Sequence, residues 1–180
     1  MKNQNTKKLA YAALFLALCL VLPMLTGQIP QIGSMLLPMH IPVLLCGLVC
    51  GWQYGAAVGF VAPLLRSVLF GMPPMYPVAI AMAFELLTYG LVIGLVYRRM
   101  VQKGAAGVYA ALLTAMVAGR LVWGVAEVVL LGLGGKAFTA QAFLAGALLN
   151  AVPGIIVQLV LIPAVMAALQ KAGAVKEYAE

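Results

Sequence analysis

Charged side chains are scarce in this sequence, and aspartate does not occur in it. Of the 180 residues, 65% are hydrophobic and 8% are charged. A soluble domain is about 45–50% apolar and about 25% charged. A soluble fold of this size cannot bury so much apolar surface, because a small domain leaves a large share of its surface exposed. The composition excludes a soluble enzyme, a nucleic-acid-binding protein and a disordered chain, and it predicts a helical integral membrane protein.

Residues that bind metals or attack substrates are also few. The sequence has one histidine, His40, three cysteines and two serines. It has no CxxC pattern, and one histidine cannot complete a zinc site. It also lacks a glycine-rich phosphate loop with Lys and Ser/Thr, so this chain cannot hydrolyse ATP by itself. We therefore expect no metal, no cofactor and no enzymatic activity.

Six apolar runs fill most of the chain, and a helix needs about 20 residues to cross a bilayer. Three residues separate the short second run from the third, so these two are either a tight hairpin of two spans or one broken element. We favour two spans. The expected fold is all-α, a single membrane domain of residues 1–180 with six transmembrane helices. The runs cover residues 9–25, 36–51, 55–71, 77–97, 108–133 and 140–169.

The basic residues predict the orientation of the chain. With six spans, eight Lys and Arg side chains of the termini and connections fall on one side of the membrane, and only Lys136 falls on the other. The positive-inside rule places that basic side, and with it both termini, in the cytoplasm. The same asymmetry favours an even number of spans.

Polar side chains within the apolar runs are the candidates for function. A charge in the hydrocarbon costs at least ~2.5–3.5 kcal/mol, so it usually faces a cavity or a partner. Arg120, Trp123 and Glu127 are spaced i, i+3, i+7 and share one helical face. Most of the set falls in the outer half of the membrane, which predicts a polar, aromatic-lined pocket open to the outside. The expected substrate-binding residues are Glu85, Arg120, Trp123, Glu127 and Asn150, with Arg66 and His40 behind them.

Structural roles compete with this interpretation. Arg66 and Glu85 could form an ion pair that locks two helices, whereas Arg120 and Glu127 are ~10 Å apart along one helix, too far for direct contact. His40 lies between two prolines, where it could hydrogen-bond the backbone at a helix start.

Two amides of the sixth run have structural alternatives as well. Asn150 could satisfy backbone groups that Pro153 leaves without a partner. Gln158 is better interpreted as a hydrogen bond between helices.

The first run carries small residues at four-residue spacing, among them Ala13 and Ala17. Such a face lets helices pack closely. It serves either internal packing or the docking of another membrane subunit.

Several of these features occur together in one known family. They are the six runs in about 180 residues, a short basic N-terminus followed by Ala-Leu-Phe-Leu-Ala at 13–17, a His-Ile-Pro-Val segment at 40–43, glycines at 47, 51, 55 and 59, and the pair Arg98-Arg99 at the end of the fourth run. In this combination the chain resembles the substrate-binding (S) components of energy-coupling-factor (ECF) transporters, which import vitamins in bacteria.

The resemblance implies a division of labour in the bacterial plasma membrane. An S component binds its substrate tightly from outside, in a pocket under the loop that corresponds here to residues 26–35. The alanines at 13 and 17 resemble the surface that contacts a transmembrane coupling (T) component, which joins two cytoplasmic ATPases. The S component then topples in the membrane to release its substrate inside.

The resemblance does not define which compound is the substrate. Two buried arginines favour a carboxylate, and two glutamates favour hydroxyls, amides or a cation. Pantothenate fits and ranks slightly ahead of a queuosine precursor or another B vitamin. The alternative function is a stand-alone proton-coupled secondary transporter of a small molecule, although no inverted repeat supports it. A purely structural subunit would leave four membrane-embedded charges without a use.

Overall fold

The computed structural model describes residues 2–26, 35–135, 139–146 and 151–173, and the regular structure in these ranges is helical. Short 3-10 helices follow α1 and α4, and a π-helical turn, Met75–Ala79, precedes α4. The α-helices are Lys2–Val21 (α1), His40–Cys50 (α2), Trp52–Phe70 (α3), Ile80–Met100 (α4), Ala105–Leu133 (α5), Ala140–Leu144 (α6) and Val152–Lys171 (α7).

Helices long and apolar enough to cross a membrane occur five times in the described ranges, so the predicted all-α membrane fold is confirmed. The helix of the second run, α2, has 11 residues. Its length of ~16 Å is about half of a bilayer core of ~30 Å. The count of six spans and the cytoplasmic position of both termini stay predictions. The five segments are Gln4–Met24, Trp52–Phe70, Met75–Lys103, Ala105–Leu133 and Val152–Lys171.

The short α2 lies inside the protein rather than against lipid. Every residue of α2 except Ile41 is buried, and the helix packs against α1, α3 and α4. A helix surrounded by protein on all sides need not match the bilayer in length, because its ends can meet polar groups of its neighbours.

The connection between α2 and α3 is a single residue, Gly51. Its φ of +97° is a conformation that side chains disfavour and glycine adopts readily. Gly47 and Gly55, four residues to either side, are in backbone contact. The second and third runs therefore form a tight hairpin of two helices.

The packing of α4 sets the register of the bundle. A Cβ atom added to Gly59 of α3 would lie 2.2 Å from the carbonyl oxygen of Leu86, and one added to Gly90 would lie 2.2 Å from that of Gly55. The antiparallel helices α3 and α4 thus touch through their backbones, as small residues permit in membrane bundles. α5 packs along the other side of α4.

The last predicted run, 140–169, contains two helices. The short α6 lies in its first part, and α7 forms the rest of it, with residues 147–150 outside the described chain. Gly154, near the start of α7, lies against the backbone of Leu36, so α7 begins beside the segment that leads into α2. Large apolar side chains on the outer faces, such as Val117 and Val160, are exposed, as expected for contact with lipid.

Candidate functional site

Glu85 of α4 is the centre of a buried polar cluster. Its Oε1 lies 2.9 Å from Nη1 of Arg120 on α5 and 3.4 Å from Nε2 of His40 at the start of α2. Glu85 and His40 are each 1% exposed, and the Arg120 side chain is 12% exposed. Three helices therefore meet at one carboxylate, inside a bundle where an isolated charge would be costly.

Tyr89 and Gly119 hold the cluster in place from one side. Tyr89 follows Glu85 by one helical turn, and its buried ring meets the imidazole of His40 edge to face, with the ring centroids 5.2 Å apart. A Cβ atom at Gly119 would lie 3.1 Å from that ring. The missing side chain beside Arg120 thus leaves the space that Tyr89 fills.

Several buried polar atoms of the cluster have no hydrogen-bond partner within the described part of the chain. An unsatisfied buried group costs about 1–3 kcal/mol, and most buried polar groups are satisfied by protein or ordered water. Such a concentration of unsatisfied groups is typical of a site that a bound molecule completes. In the cluster these atoms are Nδ1 of His40 and Nε and Nη2 of Arg120, and on α7 the Nε2 atom of Gln158 is also without a partner. Oε1 of Glu85 is in ion-pair contact with Arg120, and Nε2 of His40 lies 3.4 Å from it.

The guanidinium of Arg120 lies over the ring of Trp123. The Arg120 Cζ atom lies 5.9 Å from the centroid of the Trp123 ring, a distance suited to a cation–π contact. The same ring stacks on Phe143 of α6 at 6.2 Å, and Gly146 makes room for its far edge. Trp123 therefore joins α6 to the polar cluster.

Glu127 lies on α5 two turns beyond Arg120, toward the predicted outer end of the helix. It is 6% exposed, and it lies close enough to Glu85 for the two carboxylates to repel each other. The two glutamates thus face the same interior region from different helices.

Arg66 is the predicted site residue that the structure places elsewhere. Its Nη1 donates a hydrogen bond of 2.6 Å to the carbonyl oxygen of Leu20, and its guanidinium lies over the ring of Phe70. Because Gly59 of α3 lies opposite Leu86, Arg66 is about six residues, or ~9 Å, from the level of Glu85 toward the C-terminal end of α3. The ion pair of Glu85 is therefore with Arg120, and the alternative pairing of Arg66 with Glu85 is not formed.

The structure brings four of the seven expected residues into one cluster: His40, Glu85, Arg120 and Trp123. Asn150 lies outside the described residues, and so do residues 27–34 of the loop at 26–35 and the outer cation Lys136.

The analysis of the sequence also missed contributors to this region. The spacing of i+4 places Tyr89 on the helical face of Glu85, although Tyr89 was not among the expected substrate-binding residues. For Gln158 the sequence predicts a hydrogen bond between helices. Its Nε2 atom has no hydrogen-bond partner among the described residues. The Leu20 carbonyl was not predictable as the partner of Arg66, because a backbone acceptor leaves no trace in the pattern of side chains.

The alanines at 13 and 17 lie on the exposed face of α1, opposite the buried Ala12 and Cys19. In the described part of the chain this alanine face does not pack against another helix of the bundle. The arrangement leaves it available to a second membrane protein.

A groove of about 410 Å³ also opens on the surface between α4 and α5. Its walls are apolar, with Phe84, Leu121 and Val125 among them. A small-molecule site needs a few placed polar groups in addition to apolar walls, and this groove supplies none, so the polar cluster is the better candidate.

Comparison with known families identifies the chain. A family model described as "ECF transporter, substrate-specific component" matches residues 7–167, which is most of the sequence. No curated protein and no solved structure matches the chain. Proteins of this family are substrate-binding subunits of transporters rather than enzymes, and the matched region includes every helix that meets at the polar cluster. The chain therefore belongs to the family of ECF transporter substrate-specific components.

Proposed function

We propose that this chain binds a small vitamin or vitamin-like micronutrient from outside the cell and delivers it to an ATP-driven coupling module. The observation that carries the proposal is the buried cluster of His40, Glu85 and Arg120. Nδ1 of His40 and the Nε and Nη2 atoms of Arg120 lack hydrogen-bond partners among the described residues, and a substrate with suitable polar groups would supply them.

The predicted pocket residues beyond the cluster are part of this proposal. Glu127 and Trp123 line α5 on the outer side of Arg120, and Asn150 is proposed from the sequence alone. Arg66 acts through α1 rather than through the substrate, since its bonded partner is the Leu20 carbonyl.

Energy for uptake comes from partners in this proposal. The partners are a transmembrane coupling (T) component and two cytoplasmic ATPases in a bacterial plasma membrane. The exposed alanine face of α1, with Ala13 and Ala17, is the proposed contact with the T component, because small side chains permit close approach of a partner helix.

Pantothenate remains slightly favoured as the substrate, ahead of a queuosine precursor or another B vitamin. It has a carboxylate for Arg120 and hydroxyl and amide groups for the glutamates and for His40. The structure weakens the part of this argument that relied on two arginines, because Arg66 is bonded elsewhere.

Thermal stability of the purified chain in detergent, measured against a panel of vitamins and their precursors, tests the proposal. A ligand at 100 times its Kd adds ~2.7 kcal/mol to the free energy of unfolding. Arg120→Ala and Glu127→Ala should weaken binding of the stabilising compound and leave membrane insertion intact. A folded protein that no compound stabilises would contradict the proposal, and uptake that needs a proton gradient but no ATPase would favour a stand-alone secondary transporter.

A further inference from the structure

We infer that the side-on edge of the Arg120 guanidinium, formed by Nε and Nη2, binds a single carboxylate group of the substrate, and that Glu85 is the residue that positions this edge. The inference rests on the proposed function, and it names the chemical class of the substrate and the atoms that select it.

Arg120 is held by two neighbouring side chains. Glu85 occupies Nη1 at 2.9 Å, and the guanidinium lies over the Trp123 ring, with its Cζ atom 5.9 Å from the ring centroid. These contacts leave the edge with Nε and Nη2, which is buried and has no hydrogen-bond partner among the described residues.

The geometry of that edge suits a carboxylate. A guanidinium is planar, and its Nε–H and one Nη–H point in parallel from the same side. Two parallel donors match the two oxygens of a carboxylate, and such bidentate pairs combine strength with directional selectivity. A lysine at the same position would present one point charge and no fork.

The charge of the cluster limits which anions the site can bind. Glu85 already balances the charge of Arg120, and Glu127 faces the same region, so the directed hydrogen bonds of Nε and Nη2 rather than excess positive charge would hold a further anion. The cluster as described has no second unpaired cation to offset a second negative charge. A phosphate monoester carries about −1.5 to −2 at neutral pH. The site is therefore matched to a monocarboxylate and should discriminate against a phosphorylated form of the same compound.

Arg66 provides the comparison within the same chain. It is also a buried arginine of the membrane region, but it donates to a backbone carbonyl, and the structure gives it no carboxylate partner among the described residues. A single hydrogen bond to a carbonyl can also be made by a lysine, so Arg66→Lys is a matched control for Arg120→Lys.

The experiment uses the full chain in detergent and pairs of compounds that differ in one group: pantothenate with pantothenol, biotin with biotin amide, and nicotinate with nicotinamide. Thiamine, riboflavin and pyridoxine complete the panel as vitamins without a carboxylate. Dissociation constants of the strongest stabiliser and of its neutral counterpart are then measured by calorimetry, with the phosphorylated form added where one exists.

We expect the strongest stabiliser to be a monocarboxylate. Loss of two charge-assisted hydrogen bonds should weaken binding of the neutral counterpart by about 100-fold or more. Arg120→Lys should lose most of this discrimination between the pair, and Arg66→Lys should retain it. The ratio of the two constants in the unsubstituted chain is decisive even if a variant fails to fold.

The possible outcomes separate the inference from the function on which it rests. Tight binding of a vitamin without a carboxylate, or of the neutral counterpart within about threefold, overturns the inference and leaves the proposed function intact. Stabilisation by none of the compounds counts against both. If a folded Arg120→Lys variant still discriminates fully between the carboxylate compound and its neutral counterpart, another group binds the carboxylate and the inference is wrong.

Discussion

Glu85 and Arg120 show how single residues can serve both stability and binding. The two charges are buried together, and each is tolerated because the other is present. Removing one partner of such a pair leaves an uncompensated charge, which is far worse than having neither. His40 and Tyr89 complete the surroundings of Glu85, so a change at this one position reaches two further side chains.

A substitution at Glu85 alone should therefore lower the free energy of unfolding strongly, whereas replacing Glu85 and Arg120 together by apolar residues should not. Glu85→Gln is expected to lower the free energy of unfolding by roughly 3–5 kcal/mol, because Arg120 loses its counter-charge. Glu85→Leu combined with Arg120→Met should recover most of this loss and still abolish substrate binding. The free energy of unfolding is measured in mixed micelles, and substrate binding is measured by calorimetry.

Thr88→Val is the control for this series. The Thr88 hydroxyl donates to the carbonyl oxygen of Phe84 in its own helix, so its removal should change stability by less than ~0.5 kcal/mol. A double variant no more stable than Glu85→Gln would show that the ion pair is not the source of the destabilisation.

Among the helices, the hairpin of α2 and α3 packs against α4 and forms the rigid centre of the bundle. Glycines allow the backbones of α3 and α4 to touch, and this contact fixes the height of Glu85 relative to α3. The position of the polar cluster therefore depends on residues that carry no functional group. A shift between α3 and α4 would move Glu85 relative to His40 and the rest of the site.

Two glycine substitutions with opposite expected effects test this packing. In Gly90→Ala the new Cβ atom would meet the backbone of Gly55 at 2.2 Å, so the helices must separate, and we expect a loss of ~1–3 kcal/mol. In Gly132→Ala of α5 the new atom meets nothing within 4 Å, and the higher helix propensity of alanine should give up to ~1 kcal/mol of stability. Equal thermal stability of the two variants would contradict the packing argument.

The face that α1 presents to its surroundings matters at the scale of the whole molecule. Most of the bundle surface consists of large apolar side chains that suit lipid, and on the exposed side of α1 the small Ala13 and Ala17 lie among larger residues such as Leu14. The proposed coupling of transport to ATP requires such a contact surface for the T component, separate from the substrate site.

Bulk added to this face should separate binding from transport. Ala13→Trp and Ala17→Trp are expected to keep substrate affinity and to reduce uptake in cells by at least tenfold, because a large ring prevents close approach of a partner helix. Val117→Trp, at an exposed position of α5, is the control and should transport normally. Normal uptake by both alanine variants would remove the docking assignment.

The number of spans can be decided with introduced cysteines, since the three native cysteines are buried. If α2 crosses together with its flanking residues, Asn5→Cys and Gln53→Cys lie on the same, cytoplasmic side. Both should react with a membrane-impermeant thiol reagent only after permeabilisation, whereas Met75→Cys should react in intact cells. Labelling of Gln53→Cys in intact cells, with Asn5→Cys protected, would mean that α2 does not cross.

The sequence by itself determined the class of this protein and most of its candidate residues. Burial of so many apolar residues is possible only in a membrane, and charges placed there must have a use, so composition alone selected Glu85, Arg120 and Glu127. Helical periodicity also placed Arg120 and Trp123 on one face, because that relation is local and repeats every turn.

Only the tertiary structure decided which charges meet. Glu85 pairs with Arg120 rather than Arg66 because the glycine contacts of α3 and α4 set a register in which Arg66 lies ~9 Å from the level of Glu85, beside the C-terminal end of α1. It also decided that α2 is short and enclosed, and that Ala13 and Ala17 face outward. Such relations join residues far apart in sequence through backbone contacts, and a pattern of side chains along one chain carries no information about them.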